Sequence, residues 1–219
     1  MDIKYLGHSS FRLRGKNAAV VTDPFDPKIV GQAYPKVSAD VITVSHDHAD
    51  HNKRGLVAPR TEGVLPVVVV GPGEYEVKGV KIYGYQTFHD AKNGEERGKN
   101  TAYVINIDDI NILHCGDLGH IFSEVQLEEM GEVHILIVPV GGHFTINEKE
   151  ALSVVRQIDP HIVIPMHYNE SGKAEMFNAL AGVDSFLKEI GKTVEPTPKL
   201  TITYDKLPEE MEVVVLSRG

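Results

Sequence analysis

Three histidines and two aspartates fall within six residues, His46-Asp47-His48-Ala49-Asp50-His51, directly after the segment Asp40-Val41-Ile42-Thr43-Val44-Ser45, which reads as a buried strand. His46 and His48 are two apart, so an extended or tightly turned segment at a strand end points both the same way. Asp50 and His51 follow where a helix could begin. The run can therefore offer two imidazoles to one metal, and a carboxylate plus an imidazole to a neighbouring one. Neutral imidazole and carboxylate suit zinc, and also iron or manganese. A solvated loop with chance histidines is the competing reading. Such a density of ligand-type residues after a buried strand argues against it.

A catalytic metal needs about three protein ligands, so later segments must supply the rest. Three places qualify: Thr87-Phe88-His89-Asp90, His114-Cys115-Gly116-Asp117 and Pro165-Met166-His167-Tyr168. Each lies where a strand gives way to a loop, the usual location for site residues.

The elements that must position these residues are legible as short segments. Strands are expected over Asp2–Leu6, Ser10–Arg14, Ala18–Asp23, Asp40–Ser45, Val67–Val70 and Glu76–Thr87, the last broken at Lys78-Gly79. Thr101–Ile107 and Ile110–Cys115 flank Asp108-Asp109, a hairpin signal. The second half adds strands at His134–Val138, His161–Pro165, Thr201–Tyr204 and Val213–Leu216. Helices are expected over Ser123–Met130, over Asn147–Ile158 with Asn147 as N-cap, and over Ala174–Ile190 ending at Gly191. Strands ending at Asp23 and His46 are loosely echoed by strands leading to Asp117 and His167. Two sheets with helices outside would fit that order.

The order Asp23, His-x-His-x-Asp-His, His89, Gly116-Asp117, His167 resembles the five-motif pattern of the metallo-β-lactamase superfamily. Tyr5-Leu6-Gly7-His8-Ser9-Ser10-Phe11, Asp23-Pro24-Phe25, Arg97-Gly98-Lys99-Asn100-Thr101-Ala102 and Pro139-Val140-Gly141-Gly142-His143-Phe144-Thr145 are similar to its branch containing the L-ascorbate-6-phosphate lactonases. The resemblance runs from about Ile3 to Tyr168. It implies a single α/β domain over residues 1–219, an αββα sandwich of two mixed sheets with helices on the outer faces. It further implies that His46, His48 and His89 hold one divalent metal and that Asp50, His51 and His167 hold a second. Asp117 would bridge the two, with a water or hydroxide between the metals, and Asp23 would support the hexad loop. The chain is shorter than those lactonases, so their substrate does not transfer.

His89 and His114 compete for one ligand position. His114 is three residues from Asp117, an odd offset that places the two on opposite faces of a strand. His89 is therefore preferred, and His114 is assigned to the interior. His8 and His143 each follow glycine in a loop after a strand, where backbone can come close to a ligand. Both are candidates for substrate contact. Arg97 is a candidate for binding an anionic group, with Asn100 beside it. Cys115 reads as buried filler, and His120, His134 and His161 read as structural.

Composition bounds the rest. The chain has 219 residues, 42% apolar and 24% charged, enough for one sizeable core. A net charge of -9 disfavours broad nucleic-acid binding. One cysteine excludes a disulfide within the chain and fits a reducing cytoplasm. The N-terminal stretch lacks a signal-peptide core, and the apolar run Val64–Val70 is too short for a bilayer. The expected protein is a cytoplasmic metal-dependent hydrolase. Its substrate would be a small anionic ester, lactone or phosphodiester, and homo-oligomerisation stays open. A nuclease, a non-enzymatic metal-binding module and a flavin-linked diiron oxidoreductase are the alternatives. Asp50 and Asp117 are the carboxylates placed closest to the chemistry.

Overall fold

The computed structural model describes residues 1–218. Strands and helices in chain order are β1 (Asp2–Gly7), β2 (Ser10–Arg14), β3 (Ala19–Thr22), α1 (Pro27–Val30), β4 (Val37–Ala39), β5 (Val41–Val44), β6 (Val57–Pro59), β7 (Val67–Val70), β8 (Gly73–Val77) and β9 (Val80–Phe88). They continue with β10 (Lys99–Ile107), β11 (Ile110–His114), α2 (Glu124–Met130), β12 (Ile135–Pro139), α3 (Glu148–Ile158), β13 (Ile162–Met166), α4 (Val183–Ile190), β14 (Leu200–Thr201) and β15 (Glu212–Val213).

Two mixed sheets form the centre. One has six strands in the order β14-β1-β2-β3-β5-β7, the other seven in the order β15-β13-β12-β11-β10-β9-β8. They share one core. Ile3, Phe11, Leu13 and Val20 of the first sheet join Ile82, Ile105, Ile112 and Ile137 of the second in a single buried cluster. Each such fully buried apolar side chain stabilises by about 1.5–3 kcal/mol. On the other side of the first sheet, Val21, Ile42 and Val44 pack with Ala39 and Val57 of the β4–β6 pair. α3 and α4 pack against each other, with α3 on β12. This is the α/β sandwich expected from the sequence. No helix among the described residues is long and apolar enough to cross a membrane.

Strand direction decides where the site forms. β3 and β5 run parallel, as do β11, β12 and β13. β9 is antiparallel to β10, which is antiparallel to β11, so β9 and β11 point the same way. The carboxyl ends of β9, β11 and β13 therefore share one edge, as do those of β3 and β5. Asp23, His46, His89, Asp117 and His167 all follow such ends.

The helix signals at Ser123 and Asn147 hold. Both residues make full capping boxes, Ser123 with Gln126 and Asn147 with Glu150. Asp108 and Asp109 adopt φ of 52° and 65°, the left-handed pair that a two-residue hairpin needs. The helix expected over Ala174–Ile190 is instead a single 3-10 turn at Glu175–Phe177 and α4 from Val183. Backbone commitments in between explain the break. Ala181 N–H donates to Gly141 O, Asn169 N–H donates to Ala181 O, and Phe177 and Leu180 fill a small cluster with Phe25 and Val30. Tertiary partners override local helix preference there. The strand expected over Thr201–Tyr204 stops at Thr201, and a 3-10 turn takes Tyr204–Lys206. The last strand is Glu212–Val213, with Leu216 making only an isolated bridge to Thr197.

Candidate metal centre

The hexad leaves β5 as a loop in which His46 and His51 are buried and His48 is exposed. His46, His48 and His89 bring their ring nitrogens within 4.8 Å of one another. His8, Asp50, His51 and His167 form a second group of the same kind, and His46, His51 and Asp117 a third that joins them. Residues from five separate stretches thus meet in one place.

Asp117 stands at the junction. Its Oδ2 lies 3.1 Å from His89 Nε2, 3.3 Å from His51 Nε2, 3.3 Å from His167 Nε2 and 3.9 Å from His46 Nε2. One oxygen cannot accept a hydrogen bond from so many donors. The buried atoms His46 Nε2, His51 Nε2, His167 Nε2 and Asp117 Oδ1 are left without a hydrogen-bond partner. Each buried orphan costs about 1–3 kcal/mol. Cations between the imidazoles and the carboxylate would satisfy them together, so the residues present fit a metal centre.

Supporting contacts fix the rings of the candidate ligands. Asp23 is fully buried and accepts from Ser45 N–H at 2.8 Å, Ser45 Oγ at 2.6 Å and His51 Nδ1 at 2.9 Å. That leaves His51 Nε2 as the free nitrogen aimed at Asp117. Ser45 Oγ also lies 2.9 Å from His46 Nδ1, again leaving Nε2 inward. Asn100 accepts from Asp117 N–H at 3.0 Å and donates to Thr87 Oγ1 and Cys115 O. It holds the Asp117 loop and does not face a substrate. Partners of this kind set ring orientation and ligand basicity.

The backbone is strained where these residues sit. His8, Asp23 and His167 all have positive φ, at 57°, 39° and 53°. Such conformations cost about 1–3 kcal/mol each and cluster at functional sites. Two glycines let neighbouring loops come close. A Cβ on Gly119 would collide with the backbone of His89 and Asp90, and one on Gly141 with the carbonyl oxygen of His167.

Burial and neighbours set the charge states in the metal-free chain. Burial pushes His46 down to about 3, and it holds His8 well below the usual imidazole range. Burial opposes the charge of Asp117, but His167, His51 and His89 outweigh it and keep the carboxyl ionised. Burial likewise opposes protonation of His51, yet Asp117 and Asp50 draw its value well up. His46 and His8 are thus held neutral and Asp117 charged, while His51 carries a proton that a cation at its Nε2 would displace.

The remaining sequence candidates lie around this centre. His8 Nε2 is 3.2 Å from Asp50 Oδ2. Arg97 is half-buried, its guanidinium 5.8 Å from the centre of the Phe144 ring. His143 is exposed, packs its ring on Phe144 and belongs to none of the three ligand groups. His114 is buried and contacts Ser9 O at 2.8 Å, away from Asp117. Cys115 is buried, its thiol pushed up by burial. His120 and His134 accept from backbone N–H groups of Phe88 and Asn111. His161 Nδ1 lies 2.7 Å from Pro208 O. Lys173, Glu170 and Tyr5 were not among the sequence candidates and line the far side of His8.

Residues 2–167 match the family described as the beta-lactamase superfamily domain. The chain belongs to that superfamily. A UPF0173 metal-dependent hydrolase from Staphylothermus marinus is 34% identical, covering 92% of this chain and 98% of its own. A Thermotoga maritima protein described as a candidate Zn-dependent hydrolase of the metallo-beta-lactamase superfamily has a solved structure. It is 38% identical, covers 98% of this chain and 97% of its own, and superposes with a TM-score of 0.79. A metallo hydrolase from Ignicoccus hospitalis, 19% identical, covers 92% of this chain and 99% of its own at a TM-score of 0.68 and shares the fold. The superfamily member described here is a metal-dependent hydrolase, and the His/Asp cluster is its candidate metal site.

Proposed function

We propose that this metallo-β-lactamase superfamily member uses two divalent cations, zinc by donor chemistry, to hydrolyse a small anionic ester, lactone or phosphodiester. The observation that carries the reading is the position of Asp117 Oδ2 between imidazoles of two sets: His89 at 3.1 Å on one side, His51 and His167 at 3.3 Å on the other. His46, His48 and His89 would hold one cation, and Asp50, His51 and His167 the other, with Asp117 shared. Nitrogen and oxygen donors in these numbers suit zinc; manganese and iron also accept them. When bound, the cation pair supplies an activated water as nucleophile and a Lewis acid for the scissile bond.

The chain's own groups do the rest. Asp50 is partly exposed, its side chain 18% accessible, so it can orient a water at the mouth. His48 is the exposed ligand and marks the side from which substrate arrives. Four metal charges against the two ligand carboxylates leave the mouth positive, although the chain carries -9 overall. Arg97 supports anion selection. Its guanidinium rests over Phe144, which meets Phe177, which in turn meets His8 beside Asp50. The lone buried thiol fits a reducing, cytoplasmic setting.

The test is turnover of a panel of anionic esters, lactones and phosphodiesters, with RNA and DNA included, after chelation and add-back of Zn, Mn or Fe. Metal-dependent hydrolysis of a small anionic member, lost in His48→Ala and Asp117→Asn, is expected. Nucleic-acid cleavage alone, or turnover unaffected by chelation, overturns the reading.

A further inference from the structure

A buried chain of polar groups runs behind the cluster on the side away from the first metal set. Tyr5 OH donates to Glu170 Oε2 at 2.7 Å. Glu170 Oε2 lies 3.9 Å from Lys173 Nζ, whose side chain is only 1% exposed. Lys173 Nζ donates to Tyr168 O at 2.6 Å and lies 3.3 Å from His8 Nδ1. His8 is fully buried, and its Nε2 is 3.2 Å from Asp50 Oδ2. The contacts join residues about 165 positions apart in sequence.

His8 could play either of two roles. Its ring nitrogen lies among the ligand atoms of Asp50, His51 and His167, close enough to be a fourth ligand of the second cation. A neutral imidazole carries one N–H and one lone pair, and a ligand nitrogen must present the lone pair. An ammonium group has three donors and no acceptor. Lys173 Nζ donates to Tyr168 O and sits beside the Glu170 carboxylate, surroundings that suit the ammonium form. His8 Nδ1 must then accept from Lys173, and the His8 proton must sit on Nε2, pointing at Asp50.

We infer that Lys173 fixes His8 as an Nε2–H donor to Asp50, so that His8 is a positioning residue for the second metal and not one of its ligands. This rests on the two-metal reading above. Lys173 acts through His8, and His8 acts through Asp50. The backbone reinforces the arrangement: His167 N–H donates to His8 O at 3.0 Å, which ties the same loop to another ligand of that metal. The strained φ of 57° at His8 aims the ring inward.

Zn titration of chelator-stripped protein by calorimetry tests the assignment. Wild type should take up two equivalents. Lys173→Met and His8→Leu should weaken the second equivalent by about 10–100-fold and leave the first unchanged. His8→Gln retains a side-chain N–H toward Asp50 and should recover most of the loss. Equal losses in His8→Gln and His8→Leu would mark His8 as a ligand and overturn the inference. So would a wild-type second equivalent in folded Lys173→Met. A single equivalent in wild type would instead overturn the two-metal reading itself, and the inference with it. Should Lys173→Met fail to fold, imidazole nitrogen NMR of the wild type decides. The His8 resonances, identified by their loss in His8→Gln, should show an Nε2–H tautomer with and without Zn. A proton on Nδ1, or a metal on Nε2, contradicts the inference.

Discussion

His51 Nδ1 lies 2.9 Å from Asp23 Oδ2, with both side chains fully buried. The same carboxylate also takes both donors of Ser45, so one residue at the end of β3 fixes the start and the finish of the hexad loop. Asp23→Asn should therefore act on metal affinity more than on the fold. A drop of about 10–100-fold in affinity is expected, read by competition with a chelator of known strength. Unchanged affinity would show that the loop holds its shape without this carboxylate.

Asp117→Asn and His48→Ala remove proposed ligands of different kinds. Asp117 is buried at the junction, and His48 is exposed at the mouth. Both should lower metal-dependent turnover by about 100-fold or more. The two should differ in metal content: Asp117→Asn should lose both cations, and His48→Ala mainly the one shared with His46 and His89. Elemental analysis of the purified variants reads the difference.

Gly119→Ala and Gly141→Ala place a methyl group against the backbone of His89–Asp90 and against the carbonyl of His167. Each substitution should displace one ligand and lower activity by about tenfold or more, since a misplacement near 1 Å can cost about 100-fold. Gly172→Ala, a control with open space around its Cβ but a φ of 84°, should cost stability only. Kinetics alongside thermal melts separate the two effects.

Acid should destabilise the metal-free chain early. His8, His46 and His114 all have folded values below 6.5, chiefly through burial, with His46 at about 3. The folded state then binds fewer protons than the unfolded one. Their contribution is fully present above about pH 6.5 and is lost as pH falls toward the folded values. His51 works the other way, but its contribution is already complete below pH 6.5. Melting temperature after chelation should decline steadily from pH 6.5 to 4. A flat profile over that range would contradict these assignments.

Asn147 offers a control remote from the chemistry. Its side chain caps α3 by accepting from Lys149 N–H and Glu150 N–H. Asn147→Ala should cost about 1 kcal/mol of stability and leave metal affinity and turnover at the wild-type level. A fall in affinity would show that α3 helps to hold the site.

The hexad was legible because its candidate ligands are sequence neighbours. His89, Asp117 and His167 were legible because each follows a strand, and parallel strand direction brings those ends to one edge. The parity argument that separated His114 from Asp117 does not apply as framed, because β11 ends at His114 and Gly116, with φ of 56°, breaks the alternation before Asp117; the His114 ring instead contacts Ser9 O. Lys173 and Glu170 gave no signal. Their partners, His8 and Tyr5, are about 165 residues away, and a lysine before an apparent helix reads as solvated. Gly119 and Gly141 were equally silent, because the backbone that crowds them belongs to other loops. The long helix expected from Ala174 failed for a related reason: Leu180 and Ala181 are claimed by Phe25, Val30 and Gly141, none of them nearby in sequence.

Anomalous diffraction from zinc-loaded crystals addresses the central claim most directly. Two peaks are predicted. One should lie about 2.0–2.2 Å from nitrogens of His46, His48 and His89, and the other at like distances from Asp50, His51 and His167, with Asp117 in reach of both. A single peak, or peaks away from these side chains, would contradict the account.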